Sequence, residues 1–310
     1  YSEFLLDLIF YILFTSGTAG ILNKILFSGT HRMMAQEAVR RIDSLLAEPS
    51  VVESTLARIP DRNDVEFQDV TFTYPGGKTP ALTHLSFQIP EGKTVALVGA
   101  SGSGKTTAAA LIPRFWDAQE GAVCIGGVPV PQIPKYELMN RIAFVFQDSR
   151  LLKASILENV RASRPDATRE QVMEALRAAQ CDDILEKLPK GMDTVLGSKG
   201  VYLSGGEQQR IALARAILKD APIVLLDEAT AFADPENEHK IQIAFERLTK
   251  GKTVLMIAHR LPTIQNADEI LVLEQGSIAE RGTHDALMER NGIYASMWRD
   301  YQTSVAWNIG

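Results

Sequence analysis

Cysteine is almost absent from this chain: Cys124 and Cys181 are the two among 310 residues. They are far apart, with no CxxC partner and no histidine cluster beside them, so neither a zinc site nor a redox pair is indicated and both are expected to be plain thiols. That usage suits a reducing, cytoplasmic compartment. An excess of positive charge is missing too, since 32 Lys+Arg against 38 Asp+Glu leave a net charge of −6. This removes the basic surface that duplex DNA or RNA would require, and no nucleic-acid partner is expected. Disorder is excluded by a composition of 45% hydrophobic and 23% charged residues. Nothing basic precedes the first apolar run and no clear cleavage site follows it, so a signal peptide is not expected.

What is present begins with an apolar N-terminus. Residues 5–14 read LLDLIFYILF and, after TSGTAG, comes ILNKILF. The band approaches the roughly 20 apolar residues that a bilayer-spanning helix needs. Asp7, the small residues and Asn23-Lys24 interrupt it. A buried soluble helix is the competing reading, because a charge at mid-bilayer costs about 2.5 to 3.5 kcal/mol. The membrane reading places Asp7 near a boundary or against other helices. HRMMAQEAVRRIDSLLAEP then carries Met34, Ala38, Ile42 and Leu45 at helical spacing, as a helix leaving the bilayer for the cytoplasm would. The division expected is residues 1–48 as the end of a transmembrane domain, 49–64 as a linker, and 65–310 as an α/β domain.

In that domain VEFQDVTFTY and ALTHLSFQIP read as strands, and the apolar run KTVALVGA enters a glycine-rich loop. The loop, GASGSGKTT, comprises Gly99, Ala100, Ser101, Gly102, Ser103, Gly104, Lys105, Thr106 and Thr107, a G-x-x-x-x-G-K-[ST] pattern between a strand and a helix. Glycines let backbone N–H groups approach phosphate oxygens closely, Lys105 is placed to hold the β- and γ-phosphates, and the Thr106 hydroxyl to bind Mg²⁺. A second carboxylate-bearing element follows in PIVLLDEAT. Asp227 ends an apolar strand and suits Mg²⁺ through water, and Glu228 suits polarising an attacking water.

VYLSGGEQQR places two glycines behind a serine at the start of a helix, and LSGGE, together with the two motifs above, resembles the nucleotide-binding domain of ATP-binding cassette (ABC) proteins. The resemblance covers Val65 to the C-terminus. It implies a P-loop NTPase-type α/β fold, a mixed sheet core with a helical subdomain, and ATP and Mg²⁺ as ligands. It also implies a second ABC subunit, identical or homologous, whose phosphates are met by Ser204, Gly205, Gly206 and Glu207. Tyr74 resembles the residue that stacks on adenine, Gln147 the Q-loop glutamine at Mg²⁺ and the water, and His259 the switch histidine at the γ-phosphate. Asp234 resembles the D-loop aspartate crossing between subunits. His31, His84, His239 and His284 carry no such context. Three departures stand out: Glu207 where Gln is common, AFAD in place of SALD, and TVLGSKG (Thr194 to Gly200) without its usual acidic residue.

QDSRLLKASILENV, with Ser155, Ile156, Glu158 and Asn159, and the C-terminal GTHDALMERNGIYASMW are similar to the exporter group. The expectation is an ATP-hydrolysing half of an exporter in a membrane, the bacterial inner membrane by preference, with its ATP-binding domain on the cytoplasmic side and much of the membrane domain outside this sequence. The transported small molecule is expected to be a lipid, a drug or an iron-siderophore. A soluble ABC ATPase uncoupled from transport is the alternative.

Overall fold

The computed structural model describes residues 1–47, 56–146, 150–197, 202–227, 235–258 and 261–307. The chain divides into two compact units, Tyr1–Val52 and Glu53–Gly310.

The first unit is one continuous helix, α1 (Ser2–Ala47). The small-residue patch does not interrupt it. Thr15 and Thr18 donate their hydroxyls to the carbonyls of Tyr11 and Phe14 four residues back, at 2.6 and 2.5 Å, a habit that keeps polar side chains tolerable inside a helix. Its apolar side chains are exposed, Phe10, Leu13 and Phe14 at 67%, 66% and 64%. The helix is long and apolar enough to cross a membrane. At about 1.5 Å per residue it exceeds the ~30 Å of a hydrocarbon core.

The second unit opens with irregular chain at residues 56–64, tied into the domain where Arg141 donates to the Pro60 carbonyl at 2.7 Å and to the Asn63 side chain at 2.8 Å. There follow β1 (Val65–Phe72), β2 (Leu82–Ile89), β3 (Thr94–Val98), α2 (Lys105–Leu111), β4 (Glu120–Ile125) and β5 (Val128–Pro129). Next come α3 (Lys135–Arg141), β6 (Ile142–Val145), α4 (Ile156–Arg161), α5 (Arg169–Ala178), α6 (Asp182–Lys187) and α7 (Gly205–Lys219). The chain closes with β7 (Ile223–Asp227), α8 (Pro235–Thr249), β8 (Thr253–Ile257), β9 (Glu269–Glu274), β10 (Ser277–Gly282), α9 (His284–Arg290) and α10 (Ile293–Trp307).

Among the described residues two sheets form. One is antiparallel, in the order β2-β1-β4-β5; the other runs β10-β9-β3-β8-β7-β6 and is parallel except for β10. β1 and β2 alternate buried with exposed residues and stack Phe67 on Phe87 at 4.5 Å, as strands with one wet face do. β3 and β7 are near-continuous apolar runs because both their faces are covered. Ile223 and Leu225 of β7 join the core under α2, whereas Val224 and Leu226 join a second core built on α4, α5, α7 and α8. That second core is the helical subdomain expected from the sequence.

Candidate nucleotide site

The glycine loop leaves β3 at the C-terminal edge of the parallel strands, the edge where open α/β sheets receive ligands. The backbone has φ 146° at Gly99 and φ 102° at Gly104. A Cβ at Gly99 would stand 2.2 Å from the Leu273 carbonyl oxygen, and one at Gly104 would stand 2.7 Å from that of Ala81. Both positions therefore require glycine. The loop is braced from outside, where the Gly276 N–H donates to the Ser103 carbonyl at 3.2 Å.

Lys105 is 4% exposed, and its Nζ donates to the carbonyls of Gly99 and Ala100 at 2.9 and 2.8 Å and to Ser103 Oγ at 3.3 Å. The loop's own oxygens thus hold the ammonium in place. Buried positive charge beside a tight turn of backbone N–H groups is the donor set that polyphosphate recognises. Gly102, Ala100, Ser101 and Thr106 are exposed, so a ligand has access, while Ser103 and Thr107 are buried.

Tyr74 joins this site through its hydroxyl, which shares a 3.0 Å hydrogen bond with Thr107 Oγ1. The ring meets Phe72 and Trp116 edge-on, with centroids 4.9 and 5.5 Å away. It remains 38% exposed, so part of the aromatic side chain stays open to solvent. Asp227 ends β7, is 6% exposed, and pairs in register with Ile257 of β8, which in turn pairs with Leu97 of β3. Strand alternation sets Asp227 on the side of Ile223 and Leu225, the face that α2 covers, and α2 packs on both β7 and β8. A buried carboxylate below the helix that carries Thr106 fits a divalent cation.

Ser204, Gly205, Gly206 and Glu207 stand at the head of α7, the helix whose Ile211, Leu213 and Ala214 pack in the other core. Ser204 is the N-cap: its Oγ accepts from the Glu207 N–H at 3.3 Å while Glu207 Oε2 accepts from the Ser204 N–H at 2.7 Å. Ser204 and Gly205 are exposed and Gly206 is buried. Glu207 is 7% exposed, and its other oxygen pairs with Lys187 Nζ at 2.6 Å. Burial raises the Glu207 carboxyl, but the Lys187 and Ser204 hydrogen bonds outweigh it and hold the group below its ordinary range. Glu207, expected among the ligand-contacting residues, thus has its carboxylate committed to shaping the turn.

One turn further, Arg210 is 1% exposed and holds Asp183 at 2.6 and 3.0 Å and Asn237 at 2.8 Å, tying α7 to α6 and to the first turn of α8. The residues after the Q-loop have a structural task as well. Ser155 and Glu158 form another N-terminal box on α4, and Asn159, fully buried, binds the Leu152 N–H and carbonyl at 2.7 and 3.0 Å. Cys181 is buried and its thiol pushed up to about 12, mainly by desolvation, so it is no nucleophile.

Gln147, Glu228, Asp234 and His259 lie outside the described residues. Trp116 and Lys187 carry no motif and were not anticipated. Trp116 could have been flagged as an aromatic just past the loop's helix, whereas Lys187 gives no signal in one dimension.

The glycine loop, the acidic strand end at Asp227 and the Ser-Gly-Gly cap all lie within residues 82–231, which match a family model described as ABC transporter. Residues 82–231 belong to the ABC transporter family. Similar ABC proteins include an ATP-dependent lipid A-core flippase of Escherichia coli, 50% identical over 76% of this chain and 40% of that protein. The Chromobacterium violaceum protein of the same name is 44% identical over 84% of this chain and 45% of its own length. Among solved structures, a bacterial Atm1-family ABC exporter with ATP bound superposes with a TM-score of 0.78 at 37% identity, covering 87% of this chain and 47% of that one. The chain thus spans less than half the length of the ABC relatives it matches.

Proposed function

We propose that this chain is the ATP-hydrolysing end of an ABC exporter subunit, and that hydrolysis drives a small molecule across a membrane. The buried, loop-held ammonium of Lys105 is the observation that carries the reading, because it preorganises positive charge for the β- and γ-phosphates before any ligand arrives. Tyr74 receives the adenine. Mg²⁺ would be held by Thr106, Asp227 and Gln147, and would offset the charge of the phosphates. Glu228 takes a proton from the attacking water and His259 donates toward the γ-phosphate.

The Ser204 turn heads a helix in the second core, away from the glycine loop's core, so each loop is to be completed by the Ser204 turn of a second ABC subunit, with Asp234 at the junction. The exposed apolar side chains described on α1 support a membrane over a soluble ATPase. Among substrates, a lipid is favoured by the flippase relatives over a drug or an iron-siderophore. The proposed location is the bacterial inner membrane with the nucleotide site on the cytoplasmic side.

The test is light scattering and ATP turnover of Glu228→Gln in detergent. Loss of a general base lowers turnover about 10²- to 10⁴-fold. Mg-ATP should double the mass of this variant; near-normal hydrolysis would overturn the role of Glu228, and failure to bind ATP would overturn the site.

A further inference from the structure

Among the described residues, three helices of the second unit begin with the same reciprocal box, Ser155/Glu158, Thr168/Gln171 and Ser204/Glu207. They differ in charge. Gln171 makes its box neutral, with Oε1 accepting from the Thr168 N–H at 2.9 Å. Glu158 is ionised but exposed, where water screens it. Glu207 alone of the three is both ionised and buried. Capping therefore does not require its charge, and a buried carboxylate is costly unless paired. At a turn that has to receive phosphate it also repels the ligand.

Lys187 answers this charge. It stands at the last position of α6, its side chain 60% exposed and its ammonium 2.6 Å from Glu207 Oε1, while Oε2 is taken by the Ser204 N–H. We propose that Lys187 is a positioning residue for the Ser204 turn: it cancels the charge of Glu207, so that the turn offers N–H and hydroxyl donors without a competing anion. This rests on the reading that the Ser204 turn closes on phosphates bound by a second subunit. Lys187 touches no nucleotide itself, and its effect passes through Glu207.

A double-substitution cycle separates this role from simple bracing of α6. Lys187→Met, Glu207→Gln, the two combined, and Lys187→Arg are compared in the full chain, in one detergent. Mg-ATP turnover is followed across ATP concentrations, and binding of a fluorescent ATP analogue is measured alongside. Lys187→Met should lower kcat about tenfold, a coupling of the size contacting charges show. Its analogue affinity should stay that of the unsubstituted chain. Lys187→Arg should restore most of the loss, and in the Glu207→Gln background Lys187→Met should add no further loss. Equal losses in both backgrounds, or full turnover by Lys187→Met alone, overturn the proposal while leaving the nucleotide site intact. An unsubstituted chain that binds no analogue overturns the nucleotide reading, and this proposal with it.

Discussion

Tyr74 is held at three points, by the Thr107 hydroxyl at 3.0 Å and by the edges of Phe72 and Trp116. The contact with Thr107 joins the Tyr74 ring to the helix that carries Lys105 and Thr106, so in the proposed site the adenine platform and the phosphate loop share one frame. Tyr74→Ala should weaken ATP binding by about 1 to 3 kcal/mol, the worth of stacking a base on an aromatic ring. Tripolyphosphate, which has no base, should bind the variant as it binds the unsubstituted chain; isothermal titration with both ligands decides this, and an equal loss for both would refute a base-stacking role. Trp116→Ala should produce a smaller loss of the same kind. At this scale Lys105 and Asp227 were singled out by local patterns, the glycine loop and the acidic strand end, and Tyr74 by the resemblance to ABC proteins. The contact of Trp116 with Tyr74 was not, because the two lie 42 positions apart and only the fold, which sets the segment between α2 and β4 beside Phe72 of β1, makes them neighbours.

The elements of the helical subdomain are fixed at their ends by side chains. Thr168→Ala removes the N-cap of α5 and should lower stability by about 1 kcal/mol without altering nucleotide affinity, as read from urea midpoints and analogue titration. Asp183 joins three helices through Arg210 of α7 and Lys240 of α8. Burial raises its carboxyl, but the Arg210 and Lys240 hydrogen bonds prevail and bring it down to about 2. A carboxyl lowered in the folded state stabilises it above the unfolded value of about 3.9, and that contribution is lost as pH falls toward the folded value. Urea midpoints should therefore drop between about pH 4 and 2, and Asp183→Asn should start lower and flatten that part of the profile. An unchanged profile would remove Asp183 from the linkage. The start of α7 was legible from the two glycines that follow Ser204 ahead of a helical run. The clamp through Asp183 was not, since its members come from three separate segments.

At the scale of the molecule, the two units differ in what their surfaces need. The large apolar side chains of α1 are exposed along its length, a surface that in water would associate. The unit from residue 56 onward carries its own cores. A chain beginning at residue 56 should stay monodisperse without detergent, whereas the full chain should require it; size-exclusion chromatography with light scattering distinguishes them, and aggregation of the shortened chain would place part of its core in α1. Sequence alone determined the glycine loop, the acidic strand end, the cap of α7 and the apolar length of α1, because each is a pattern of neighbours within one element. Only the tertiary structure decided that Glu207 is buried against Lys187, that Trp116 steadies Tyr74 and that Arg210 joins three helices. Those relations depend on which faces meet when sheets and helices pack, and linear spacing does not encode that.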